Sequence, residues 1–126
     1  MSSGYRPSEL TAGERLWLFR RRMGKTLQRQ AEAYGVSQWR YTEWEHDRPT
    51  GEPQPWVRVD PLNVGEQCAL ARRRSGWPLR RVARESGLSH VTVLKWEREE
   101  AETVGNPLWE WWELTRGWPR RIGVAA

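Results

Sequence analysis

The chain has 126 residues, room for one domain or two very small ones, and a net charge of +5 from 21 Lys and Arg against 16 Asp and Glu. One cysteine, Cys68, excludes an internal disulfide framework and points to a reducing compartment. The basic excess is spread along the chain, 10 basic against 8 acidic residues before Leu62 and 11 against 8 after it, which favours a polyanionic partner without a charged tail.

Residues 1–9 hold Ser, Gly and Pro and are expected to fray. They show no apolar run of signal-peptide type, and no stretch of the chain approaches the roughly 18 apolar residues of a membrane span. A helix is predicted over residues 14–23, with Leu16, Phe19 and Met23 on one side and Gly24 as its stop. A second follows over about 26–34 and a third over about 38–46. Between 48 and 62, Pro49, Gly51, Pro53, Pro55 and Pro61 predict a stiff connector with at most one turn around residues 56–59.

From Leu62 the text starts again. Leu-Thr-Ala-Gly-Glu-Arg-Leu at residue 10 becomes Leu-Asn-Val-Gly-Glu-Gln-Cys at residue 62, and the alignment continues without a gap. Gly13/Gly65, Glu14/Glu66, Arg20/Arg72, Gly24/Gly76, Ala31/Ala83, Gly35/Gly87, Ser37/Ser89, Trp44/Trp96 and Glu45/Glu97 are among about fourteen identities in thirty-three positions. The chain therefore reads as a tandem duplication.

In the second copy the predicted helices cover residues 66–75, 78–86 and 90–99. The first carries Cys68, Ala71 and Ser75 on one side. Pro78 suits a first helical position, Gly87 a left-handed stop, and Ser89 a cap for the last helix. Val93 and Trp96, three apart, face inward there, and His90, Val91, Thr92 and Lys95 remain outside. Beyond it, Asn106 caps a further helix opened by Pro107, whose stripe is Leu108, Trp111, Trp112 and Thr115. Gly117 and Pro119 end that helix, and residues 120–126 are expected to be loose.

The segment Leu79-Arg80-Arg81-Val82-Ala83, with Gly87-Leu88-Ser89, Val93 and Trp96-Glu97, resembles the lambda-repressor-like, Cro/cI-type (XRE) helix-turn-helix family. The resemblance implies an all-α fold of two tandem helix-turn-helix domains, 10–48 and 62–118, joined by a Pro-rich connector, 49–61, with a Trp-rich C-terminal helix in the second. It also implies double-stranded DNA as partner and base contacts from the third helix of each copy. These are His90, Val91, Thr92 and Lys95 in the second and Gln38, Trp39, Arg40 and Glu43 in the first. Lys95 suits guanine, Gln38 adenine, Glu43 cytosine, and Val91 a thymine methyl. Phosphate contacts are expected from Gln28, Arg29, Arg48, Arg80, Arg81 and Arg98; each is otherwise a solvated surface residue. Ion pairs Arg20–Glu45 and Arg72–Glu97 are expected to tie the first helix of each copy to the third.

Two features set the first copy apart. Gln30 stands where the family prefers an aliphatic residue, as Val82 does in the second copy, and Trp39 is bulky for a groove-facing site. Trp44 and Trp96 are expected in the cores. The remaining tryptophans exceed what two small cores absorb, so the C-terminal helix either supports a homodimer or folds back on its own domain.

Nothing suggests catalysis. No Cys/His set has metal-ligand spacing, and there is no phosphate loop and no Gly-x-Ser-x-Gly. No enzyme activity, metal or cofactor is expected. The reading is a cytoplasmic, nucleoid-associated regulator, a phage or mobile-element repressor acting by operator occupancy. The alternative is a protein-binding module (antirepressor, antitoxin or polymerase-binding factor) on the same scaffold.

Overall fold

The computed structural model describes residues 4–98 and 105–120, and there the chain is helical, with seven α-helices and no strand. It divides into two compact units, residues 6–61 and residues 4–5 with 62 onward. Their helices start in the same rhythm. In the first unit α1 is Ala12–Met23, α2 Leu27–Tyr34 and α3 Gln38–Glu45; in the second α4 is Val64–Ser75, α5 Leu79–Ser86 and α6 His90–Arg98. From Ala12 to Val64, Leu27 to Leu79 and Gln38 to His90 the step is 52 residues each time.

Local chemistry sets these boundaries. Helices α1 and α4 begin two residues before Glu14 and Glu66, because Thr11 and Asn63 cap them. Each cap side chain accepts from the backbone N–H of that Glu, whose carboxylate accepts from the cap's own N–H in return. Pro78 lies one place outside α5, as its N-cap, where it offers no side-chain acceptor; its first-unit equivalent, Thr26, accepts from Arg29 N. Gly24, Gly35, Gly76 and Gly87 all take left-handed φ at the helix ends.

In the first unit α1 and α2 both pack on α3. Leu16, Ala31, Tyr41 and Trp44 form the core, with Leu27, Tyr34, Val36 and Val57 against it. Of the expected inward side of α1, Leu16 is buried, Phe19 is half-buried and Met23 is 53% exposed; Leu18, outside that stripe, is buried as well. The Pro-rich stretch is not a free connector and has no turn at 56–59. It straps this unit: Trp44 Nε1 donates to Thr50 Oγ1 at 3.2 Å, Gln54 Nε2 donates to the Trp44 carbonyl, and Arg22 Nη2 donates to Asp60 O at 3.2 Å. Arg15 lies over the Trp56 ring at 4.8 Å.

The second unit adds α7, Pro107–Trp111, which continues as a π-helical turn, Trp112–Arg116, and packs on α4 and α6. Asn106 Oδ1 accepts from Trp109 N at 2.9 Å as its cap. Leu108, Trp112 and Trp118 are buried within this unit, so the C-terminal tryptophans largely fold back; Thr115 is exposed and leaves the expected stripe. Trp96, expected in the core, is only half-buried.

Residues 4–9 do not fray as expected. Tyr5 is buried, its ring edge-on to Trp118 at 5.7 Å and its hydroxyl donating to Pro119 O at 2.6 Å. Residues Pro7–Glu9 form a 3-10 turn. Arg120, expected to be loose, accepts from Arg74 Nη1 at 3.0 Å and donates to Gly4 O at 2.9 Å. The rest of the expected tail, 121–126, lies outside the described residues, as do residues 1–3 and Glu99.

Candidate nucleic-acid interface

The outer ridge of α6 is positioned from behind. Ser89 Oγ accepts from Thr92 N at 3.1 Å and starts the helix. Val93 and Glu97 are buried on its inner side. Arg72 of α4 grips Glu97 with two bonds, Nε to Oε2 at 2.8 Å and Nη2 to Oε1 at 3.1 Å. Its third nitrogen donates to Trp77 O at 3.4 Å, so one guanidinium joins α4, α6 and the turn before α5. A two-pronged Arg–carboxylate pair fixes orientation as well as distance.

On the outer side His90, Val91 and Lys95 are exposed, Val91 by 66%. Thr92 is half-buried, its hydroxyl 2.8 Å from Ser89 Oγ. Lys95 leans back, its Nζ 5.2 Å from the centroid of the Trp96 ring. Arg80, Arg81 and Arg98 are exposed on the same pair of helices.

The first unit repeats the support and changes the ridge. Ser37 Oγ accepts from Arg40 N at 3.1 Å, and Arg20 grips Glu45 through Nε at 2.6 Å and Nη2 at 3.1 Å while Nη1 donates to Lys25 O. Burial works to lower the Arg20 pKa, but the Glu45 carboxylate outweighs it and raises it. Outside, Gln38 is exposed and Trp39 is 63% exposed. Arg40 is engaged by Glu52 at 2.7 Å and Glu43 by Arg48 at 3.2 Å. Two of the four expected base-reading groups are therefore held in ion pairs within the chain. Gln28 and Arg29 are exposed, and Arg48 is the exposed arm of its pair.

Charge separates the two ridges further. Residues 26–46 hold two basic residues, Arg29 and Arg40, against three acids; the equivalent residues 78–98 hold five, Arg80, Arg81, Arg84, Lys95 and Arg98, against two. In each set the buried acid is spent on an arginine of the preceding long helix, Glu45 on Arg20 and Glu97 on Arg72. The second ridge is therefore the more positive of the two, and the first is close to neutral.

Sequence reasoning passed over several residues. Asp47 accepts from Gly13 N at 2.8 Å and Thr11 Oγ1 at 2.5 Å, and Glu52 neutralises Arg40. Trp77 carries Arg81 at 4.0 Å and Arg116 at 4.7 Å from its ring centroid. The only signal for Trp77 was its place between Gly76 and Pro78, where the first copy has Lys25.

No group of three or more His, Cys, Asp or Glu among the described residues has an arrangement that could hold a metal ion. No described helix is long and apolar enough to cross a membrane. Comparison with protein-family models, curated protein sequences and solved structures gives no match.

Proposed function

We propose that the chain is a sequence-specific double-stranded DNA-binding regulator of two tandem helix-turn-helix domains, and that the second domain does the reading. The observation that carries this is the α6 ridge: exposed His90, Val91 and Lys95 stand on a helix locked by Arg72–Glu97 and flanked by exposed Arg80, Arg81 and Arg98. A rigid helix with small and polar groups in front and cations beside it suits the major groove. Repression by operator occupancy, in a phage or mobile element, follows as the simplest use of such a domain. A homodimer through the C-terminal helix is not required, since Leu108, Trp112 and Trp118 are spent inside their own unit.

The test is selection of duplexes from a random library by the full chain, followed by binding at rising salt. Specific binding weakens steeply with salt yet outlasts binding to competitor DNA. Lys95→Ala costs about 1–3 kcal/mol at one base position. Retention of no duplex, or a loss spread evenly over all sequences, counts against the reading.

A second reading applies to the first domain alone. Trp39 is exposed, and the charges beside it are neutralised by Glu52 and Arg48, an arrangement that favours a protein surface over a phosphate backbone. If so, Trp39→Ala leaves the selected DNA sequence unchanged.

A further inference from the structure

We propose that Glu52, in the proline-rich strap, takes on Arg40 the place of a phosphate oxygen of duplex DNA and so withholds the first domain's ridge from the DNA; this rests on the chain being a DNA reader that works through its second domain. Arg40 is the third residue of α3, on the ridge, and its counterpart in the second copy is Thr92. Its Nη1 donates to Glu52 Oε1 at 2.7 Å. Carboxylate and phosphate oxygens are alternative acceptors for a guanidinium. The pair is one-pronged and both its members reach the surface, whereas Arg20 grips the buried Glu45 through Nε and Nη2. It therefore adds little to the fold, and what it governs is the charge that the ridge presents.

An exposed ion pair is weak alone, so the strap has to keep Glu52 in place. Trp44, whose side chain lies in the core of the first unit, provides both fixings. Its Nε1 donates to Thr50 Oγ1 at 3.2 Å, two residues before Glu52, and its carbonyl accepts from Gln54 Nε2, two residues after. Thr50 Oγ1 also accepts from Glu52 N and donates to Glu52 O, each at 3.4 Å. Arg40 and Trp44 lie about one turn apart on α3, so the acid is anchored to the helix whose cation it covers. A phosphate then meets Arg40 only by meeting Glu52 as well, and attraction to the one is offset by repulsion from the other. The second copy has Thr92 and Val104 at the corresponding places, so neither partner is repeated there.

The experiment uses the full chain and a duplex it selects, extended on each side by about ten base pairs, one helical turn. Affinity is read by fluorescence anisotropy over a salt series. Each phosphate neutralised contributes about 0.9 to the slope of log affinity against log salt. Glu52→Gln, which keeps the shape and removes the charge, is expected to steepen that slope by about 0.9. Arg40→Gln alone leaves it as in wild type, because the cation is already covered. Arg40→Gln combined with Glu52→Gln returns to the wild-type slope, which separates release of Arg40 from a general gain of positive charge. Thermal unfolding checks that each variant folds. A Glu52→Gln slope equal to wild type, a steeper slope that persists in the double variant, or a shallower one in Arg40→Gln overturns the masking by Glu52. Lys95→Ala still altering base preference then leaves the DNA reading intact. If neither wild type nor Glu52→Gln retains a duplex, both fall.

Discussion

At the scale of the residue, the sharpest contrast between the two copies is Gln30 against Val82. Both are buried at equivalent places in α2 and α5, but Gln30 Oε1 has no hydrogen-bond partner. A buried acceptor without a donor costs about 1–3 kcal/mol, so Gln30→Val is expected to stabilise the first unit by about that amount. Thermal unfolding checks it, and an unchanged or lower midpoint means that Oε1 is satisfied in solution. Tyr41 gives a second prediction. Burial, then the neighbouring Glu45 carboxylate, pushes its phenol far above the ordinary tyrosine range, against a smaller opposing pull from Arg20. Its neutral form is favoured in the fold, so its contribution is intact below the unfolded pKa of about 10 and is lost as pH rises above that value. Tyr41→Phe is expected to flatten the fall in stability above pH 10, measured by urea unfolding at several pH values. The oddity of Gln30 was legible as a departure from its partner copy; the orphaned oxygen was not, because satisfaction depends on neighbours.

At the scale of the element, the helices owe their limits to short-range chemistry and their mutual placement to a few long-range polar contacts. Asp47 holds a left-handed φ of 57° just past α3, and its carboxylate accepts from Gly13 N and Thr11 Oγ1 at the start of α1. The two helices meet so closely that a Cβ on Gly13 would stand 2.6 Å from Glu45 O. Gly13→Ala must therefore push α1 and α3 apart. Asp47→Ala removes the acceptors and is expected to cost the first unit about 1–2 kcal/mol, as loss of an N-cap does. Asp47→Gly is milder, because glycine relieves the backbone strain. Urea unfolding ranks the three variants, and an Asp47→Ala midpoint equal to wild type removes this contact from the account.

At the scale of the whole molecule, the start of the chain belongs to its second unit. Tyr5 sits between Trp118 and the guanidinium of Arg74, which is buried and 4.7 Å from the ring, and Gly4 O accepts from Arg120. Tyr5→Ala should therefore destabilise a unit that begins 57 residues later, at Leu62. By analogy with other buried aromatics truncated to alanine, the cost is about 3 kcal/mol. Hydrogen exchange resolved along the chain reads this directly: protection falls over residues 62–98 while that over 12–45 is kept. Equal loss in both units, or none, sinks the assignment.

Taken alone, the amino-acid order determined whatever depends on neighbours within a turn or two and on comparison of the copies. That covers the Ser89 and Asn106 caps, the glycine stops and the 52-residue rhythm, while the family resemblance supplied the candidacy of Arg20 for Glu45 and Arg72 for Glu97. Tertiary structure alone decided which of two similar ridges stays unspent. Glu52 reaches Arg40 because the proline-rich strap folds back across its own unit, and Arg116 reaches Trp77 because α7 docks on α4 and α6. Such pairings join groups far apart along the chain, and packing selects them among many partners of suitable charge. No periodicity records that choice.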